Sequence, residues 1–181
     1  MLKPLEMGHR FLAAVIGSED ITVDATMGNG HDTLFLAQLS KKVLAFDIQE
    51  QAIKKTAERL SEAKVDNVDL ILDSHEKVDL YIDKLKAAIF NLGYLPSADK
   101  TIITQAPTTI KALEKICQLL EVGGRVAVMI YYGHPGGEVE RESVLEFASQ
   151  LPQQNFTVAL YKTVNQINKP PFLLMIEKIR E

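Results

Sequence analysis

The residues best placed to do chemistry lie in one run, Val23-Asp24-Ala25-Thr26-Met27-Gly28-Asn29-Gly30-His31-Asp32-Thr33, with a further acid at Asp47. Residues 21–23 read as the end of a buried strand, Gly28 and Gly30 as a turn, and residues 31–39 as a helix leaving it. A strand that runs into a glycine turn and then a helix N-terminus gathers bare backbone N–H groups and a positive dipole end at one spot, with no Cβ in the way. Such a turn holds a nucleotide or a nucleoside.

Gly28, Gly30 and Thr33 occupy the places of the three small residues of a dinucleotide fingerprint, with Thr33 where Gly or Ala is usual. The apolar run at residues 43–46 ends in Asp47, 17 positions after Gly30, where a carboxylate can accept both ribose hydroxyls. Asp24 adds an acid at the end of the first strand. An acid there repels a pyrophosphate and tolerates a cationic ligand, which favours S-adenosylmethionine over NAD.

These residues need a scaffold, and the rest of the chain reads as one. Residues 5–16 suit a helix beside the first strand, stopped by Gly17, with His9 and Arg10 either on a solvated face or touching substrate at the mouth of the site. Residues 49–63 carry apolar side chains at helical spacing opposite Lys and Glu, a plain scaffold helix. Residues 68–72 form a third strand ending in Asp73-Ser74-His75, and ligands of parallel α/β sheets sit at such carboxyl ends. Ser74 can bond a base edge or cap the helix begun by Glu76; His75 is a pocket wall or a turn residue. Residues 85–90 form the fourth strand, followed by Asn91-Leu92-Gly93-Tyr94-Leu95-Pro96. Residues 101–107 connect it to a helix over 108–120, closed by Gly123-Gly124, and residues 125–130 form the fifth strand. Tyr131-Tyr132-Gly133-His134-Pro135-Gly136-Gly137 then reads as a loop over a planar base or as a flexible turn. The helix at 138–151 turns Val139, Val144, Phe147, Ala148 and Leu151 inward, and residues 156–161 and 172–179 close the sheet as an antiparallel pair. Alternating strands and helices followed by a hairpin imply an α/β fold, a parallel sheet with one antiparallel strand.

Taken together, the glycine run, Phe46-Asp47-Ile48-Gln49, the Asn91 loop and the Tyr132 loop resemble a family of small bacterial S-adenosylmethionine-dependent methyltransferases, labelled rRNA methylases, that includes the tRNA wobble enzyme acting on 5-aminomethyl-(2-thio)uridine. The resemblance spans residues 9–178. It implies a Rossmann-like class I methyltransferase fold of one domain over residues 1–181, with a seven-stranded sheet in the order 3-2-1-4-5-7-6 and helices on both faces. It also implies S-adenosylmethionine held by Asp24, Thr26, Met27, Gly28, Asn29, Gly30, His31, Asp32, Thr33, Asp47, Ile48, Gln49, Ser74, His75 and Asn91. The Asn91-x-x-Tyr94 spacing resembles the Asn-Pro-Pro-Tyr loop of amine-directed methyltransferases, with Leu92-Gly93 in place of Pro-Pro. Asn91, Tyr94, Asp32 and His134 are the expected catalytic residues, with Asp32, His31 or His134 taking up a proton. Tyr94, Tyr132, His134 and Lys169 are expected to meet substrate. The partner expected is a tRNA anticodon stem-loop, bound by a homodimer; an rRNA or small-molecule methyltransferase and an NAD oxidoreductase are the alternatives.

Composition bounds these readings. A chain of 181 residues, 46% hydrophobic with mean hydropathy near zero, fits a single core. Apolar runs are strand-sized and the N-terminus lacks a signal-peptide pattern, so a cytoplasmic protein is expected, without a membrane span. Cys117 sits on an apolar helical stripe with Leu113, Ile116 and Leu120 and reads as a buried hydrophobe. The four histidines lack metal-ligand spacing. A net charge of −4 argues against nonspecific polynucleotide binding, leaving local clusters such as Lys3, Arg10, Lys100 and Lys169, or a surface shared across a dimer, to meet RNA.

Overall fold

The computed structural model describes residues 1–93 and 104–181; Tyr94, Leu95, Pro96 and Lys100 lie outside the described residues. The chain runs α1 (Pro4–Ala13), β1 (Ile21–Asp24), α2 (His31–Ala37), β2 (Lys42–Asp47), α3 (Glu50–Glu62), β3 (Val68–Leu72), a 3₁₀ segment (His75–Leu80), β4 (Leu85–Leu92), α4 (Ala106–Leu119), β5 (Leu120–Ile130), α5 (Gly137–Gln150), β6 (Phe156–Tyr161) and β7 (Phe172–Lys178). The seven strands form one sheet in the order β3-β2-β1-β4-β5-β7-β6, as expected. β1 to β5 are mutually parallel and β7 runs antiparallel to β5 and β6. The carboxyl ends of β1, β2, β3, β4 and β5 therefore share one edge.

Both faces of the sheet are covered, so the central strands read as continuous apolar runs rather than alternating ones. One layer buries Leu12 of α1, Leu36 of α2 and Ala52 of α3 against Val43, Ala45, Ala87, Ile89 and Met129. The opposite layer buries Leu113 and Ile116 of α4 and Val144 of α5 against Val23, Phe46, Phe90 and Val128. Cys117 belongs to this second layer, and burial pushes its thiol up to about 12, which keeps it inert at neutral pH. Among the described residues, no helix is long and apolar enough to cross a membrane.

Two local expectations give way. Gly123-Gly124 does not close a helix: α4 stops at Leu119, and the glycines lie within β5, where the register against β4 slips between Leu85 and Ala87. A Cβ on Gly124 would stand 2.7 Å from the Glu121 carbonyl oxygen and 2.8 Å from that of Lys86, so this irregularity needs glycine. Val139, expected inward, is 63% exposed. The buried stripe of α5 is instead Gly137, Glu140, Val144 and Ala148, because the helix turns Glu140 toward hydroxyl partners inside.

Candidate active site

The turn after β1 stays tied to both neighbouring strands: the Ala25 N–H donates to the Ile89 carbonyl at 2.9 Å and the Met27 N–H to that of Phe46 at 2.9 Å. Two carboxylates then fix its course. Asp24 accepts the Thr26 N–H at 3.1 Å and the Thr33 hydroxyl at 2.6 Å; Asp47 accepts the Gly28 N–H at 3.1 Å and the Gln49 N–H at 3.0 Å. The hydroxyl explains the departure from a dinucleotide fingerprint, since Thr33 is fully buried and holds Asp24. Ile48, next in the chain, is 61% exposed at the rim.

From the far side α3 grips the same turn. The Thr56 hydroxyl donates to the Gly28 carbonyl at 3.3 Å, Arg59 Nε to the Asn29 carbonyl at 2.7 Å, and the Arg59 terminal nitrogen to His31 Nε2 at 3.1 Å. Helical periodicity makes α3 scaffold, and no signal in the sequence marks Thr56 or Arg59 as loop-holding residues. Gly30, the N-cap of α2, has φ +77°, and a Cβ there would stand 2.8 Å from the Thr56 side chain and 3.0 Å from its Cα.

The other half of the site forms where α1, α2 and β4 meet. Asp32, nearly buried, accepts a hydrogen bond from His9 Nε2 at 2.6 Å through one carboxylate oxygen and one from the Asn91 side-chain amide through the other. The His9 ring lies flat on Phe35, with centroids 4.0 Å apart. The Asn91 backbone N–H donates to the Thr26 hydroxyl at 2.7 Å, so Asn91 is locked to the glycine turn by main chain and side chain alike. Because its –NH₂ must face the carboxylate, the amide carbonyl oxygen is turned away from Asp32 as an acceptor.

The end of β4 is fastened further along. The Gly93 N–H donates to the Thr104 hydroxyl at 2.9 Å and the Gly93 carbonyl accepts the Thr104 N–H at 2.9 Å. Buried Glu140 takes the hydroxyls of Thr104 and Thr109, each at 2.7 Å. The acid inside α5 is thereby satisfied, and it ties α4 and α5 to the strand end that carries Asn91.

The remaining expected residues spread around this centre. Ser74 caps the 3₁₀ segment, accepting the Glu76 N–H at 3.5 Å. His75 Nδ1 donates to the Ala25 carbonyl at 2.9 Å, and burial depresses its pKa, so the ring is neutral with Nε2 as an acceptor. Tyr132 is engaged edge-on with Phe172 and lies under the Arg141 guanidinium. Tyr131 is the tyrosine electrostatically linked to Asp32: burial and then the Asp32 charge push its phenol above the ordinary value, keeping it a donor. His134 Nδ1 lies 3.1 Å from the Pro135 carbonyl, and Lys169 pairs with Glu138 at the start of α5. Tyr94 lies outside the described residues.

Charge decides what the site can hold. Burial, then the Asp32 charge, raises the Asp24 carboxyl to about 7, and burial also raises Asp47 above its ordinary value despite three backbone N–H donors. Among the described residues, no Lys or Arg forms an ion pair with Asp24, Asp32 or Asp47. Among the described residues, Asn29 Oδ1 and His75 Nε2 are buried acceptors without a donor. Three acids and two unmet acceptors suit a ligand that brings positive charge, hydroxyls and N–H donors, and they disfavour a pyrophosphate.

The raised Asp24 acid has a consequence for stability. Between its ordinary value of 3.8 and about 7 the folded protein keeps a proton that the unfolded chain has lost, so this group's contribution falls as pH rises through that window and stays low above it. Melting curves of the ligand-free protein should therefore decline from pH 5 to pH 8 more steeply than those of Asp24→Asn. Parallel curves would contradict the assignment.

The family model described as "Putative rRNA methylase" matches residues 43–177. The chain belongs to this rRNA methylase family. The glycine turn precedes the matched region, and several relatives align along nearly the whole chain. A Streptococcus mutans protein, described as "a putative methyltransferase" and solved in complex with SAH, is 54% identical, covers 98% of this chain and 99% of its own, and superposes with a TM-score of 0.94. An rRNA methylase from Streptococcus thermophilus is 51% identical with a TM-score of 0.88, covering 99% of both chains. The chloroplastic tRNA (mnm(5)s(2)U34)-methyltransferase of Arabidopsis thaliana is 33% identical over 97% of this chain and 70% of its own length. The family has the class I methyltransferase fold that the strand order of this chain displays.

Proposed function

We propose that the methyl acceptor of this S-adenosylmethionine-dependent methyltransferase is the primary amine of 5-aminomethyl-(2-thio)uridine at the wobble position of tRNA. The observation that carries the reading is the Asn91–Asp32 pair. It sets an amide oxygen and a carboxylate side by side at the end of β4, next to the glycine turn. An alkylammonium asks for both: an anion to receive its charge and a neutral acceptor to aim the nitrogen once a proton has left. The chloroplastic relative, named for this modified uridine, supports the same reading.

When bound, S-adenosylmethionine supplies a sulfonium methyl already activated for displacement, so alignment of a neutral amine is the main task left to the protein. Asp47 accepts the ribose hydroxyls, and the buried acceptors on Asn29 and His75 meet N–H donors of the ligand. Asp24 offsets its positive charge, while Thr26, Met27, Gly28, Gly30, Thr33 and Gln49 give the pocket its shape. Asp32 draws in the ammonium and takes its proton, and the Asn91 carbonyl oxygen holds the nitrogen in line. The Arg59 hydrogen bond to His31 Nε2 favours Asp32 over His31 for this role. Tyr132, His134 and Lys169 border the approach of the base. The target lies in a single-stranded loop, where an unstacked base can be presented. A cytoplasmic homodimer supplies the basic surface that one copy, with its net charge of −4, lacks.

Asp47→Ala should weaken S-adenosylmethionine binding by about 1.5–3 kcal/mol, or roughly 10- to 150-fold, by removing a charged acceptor. Calorimetry with S-adenosylmethionine and NAD side by side reads this directly: wild type should bind the first and not the second. An unchanged dissociation constant in a folded Asp47→Ala would remove Asp47 from the pocket. An rRNA fragment or a small amine methylated in preference to a wobble stem-loop would favour the alternative acceptors.

A further inference from the structure

The carboxylate of Asp32 has one ion-pair partner among the described residues, and that partner is a histidine. His9 sits on α1, 23 positions before Asp32, with its Nε2 2.6 Å from Asp32 Oδ1. Its side chain is 28% exposed while that of Asp32 is 9% exposed, so the imidazole can exchange protons with water and the carboxylate is shielded. The Phe35 ring stacked beneath the imidazole holds it in place. A neutral imidazole donating from Nε2 orients Asp32 without cancelling its charge. An imidazolium at the same distance neutralises it.

Resting on the amine-acceptor reading above, we infer that His9 is a positioning residue that sets how strongly the site selects a cationic substrate. With a neutral His9 the Asp32 charge is available to the substrate's ammonium; with His9 protonated, the ammonium meets a carboxylate that already has a counter-ion. Preference for an amine-bearing base is then lost on acidification, once His9 carries a proton. Among the described residues, three elements bring charged or titratable groups to the pair. α2 contributes Asp32 itself, β1 contributes Asp24, which Asp32 influences, and the segment after β5 contributes Tyr131, which stays a phenol throughout this range. Asp24, raised to about 7, changes charge between pH 5.5 and pH 8, so only a comparison that keeps Asp24 constant isolates His9.

The test measures binding without turnover. Fluorescence anisotropy gives dissociation constants for two anticodon stem-loops, identical except that one carries 5-aminomethyluridine and the other unmodified uridine, at pH 8 and pH 5.5. The alkylamine is protonated at both values, so a change in the ratio of the two constants arises in the protein, and the His9 variants, which keep Asp24, separate the part that His9 carries. In wild type the advantage of the amine-bearing loop should shrink about tenfold on going to pH 5.5, the scale of one part-buried ion pair. In His9→Gln it should hold nearly constant, and in His9→Phe, which keeps the stack on Phe35 and loses the donor, it should be smaller at pH 8 but equally insensitive to pH. NMR of the His9 ring nitrogens in the ligand-free protein, recorded at pH 8 and pH 5.5, gives an independent reading, with spectra expected to differ between wild type and Asp32→Asn. The same pH dependence in wild type and both variants, or a His9 ring spectrum indifferent to Asp32→Asn, would overturn the inference. Equal binding of the two loops by wild type at pH 8 would instead count against the amine-acceptor reading itself.

Discussion

Asn91→Ala should slow single-turnover methylation about 30- to 1,000-fold at saturating S-adenosylmethionine while leaving the affinity for S-adenosylmethionine within a few-fold of wild type. The side chain is bonded to Asp32, and its backbone N–H is held separately by the Thr26 hydroxyl, so removing the amide leaves the strand end in place. What disappears is an acceptor aimed where the amine must arrive. Interactions made mainly as the nucleophile approaches are worth about 2–4 kcal/mol in the barrier when they are preorganised, and they appear in the chemical step rather than in ground-state binding. Rapid-quench measurements on wild type and Asn91→Ala separate the two quantities. A mutant with full single-turnover rate would reduce Asn91 to a turn residue and move the amine elsewhere.

Gly30→Ala should remove S-adenosylmethionine binding and lower the melting temperature by roughly 5–20 °C. Two costs combine at this position. A side chain at φ +77° costs about 1–2 kcal/mol, and a Cβ 2.8 Å from Thr56 adds a further 1–3 kcal/mol of overpacking. Thr56 cannot retreat easily, because the new Cβ also meets its Cα at 3.0 Å and its hydroxyl bonds the Gly28 carbonyl. Relief therefore falls on the turn, which carries Asn29 and begins the helix bearing Asp32. Pairing the change with Thr56→Ala should restore part of the melting temperature, since the side-chain clash is relieved and the backbone contact and φ remain. Scanning calorimetry of the single and double variants checks this, and a Gly30→Ala protein with wild-type melting and binding would contradict the close packing of α3 on the turn.

The parts of this molecule that were legible in the sequence are those whose cause is local. Gly28 and Gly30 announce a turn because their backbone freedom is required there, and alternating elements with a closing hairpin imply a parallel sheet with one antiparallel strand, whose order the family resemblance supplied. The phase of a helix is less secure: α5 carries both Val139 and Glu140, and hydropathy alone puts the valine inside. The structure buries Glu140, because Thr104 and Thr109 satisfy both carboxylate oxygens, a fact that depends on another helix. Arg59 was unreadable as a site residue for a similar reason, and His9 was open between a solvated face and the mouth of the site, with nothing to name Asp32 as its partner. Each acts across about two dozen or more positions of chain, Arg59 on Asn29 and His31, His9 on Asp32, and polar side chains on amphipathic helices look alike until their neighbours are known. The aromatic pair shows the same limit in miniature. Either tyrosine of Tyr131-Tyr132 fits a base platform by composition, but Tyr132 is packed on Phe172 while Tyr131 feels Asp32.

The central claim is that the acceptor is an exocyclic amine on a wobble uridine, and methyl transfer to defined stem-loops tests it most directly. Purified protein with labelled S-adenosylmethionine would be offered an anticodon stem-loop bearing 5-aminomethyl-2-thiouridine and, in parallel, the same loop bearing 2-thiouridine without the aminomethyl group. Nucleoside mass spectrometry should find one added methyl on the side-chain nitrogen of the first and none on the second. Absence of label in the amine-bearing loop, with transfer to rRNA or to a free amine under the same conditions, would contradict the account.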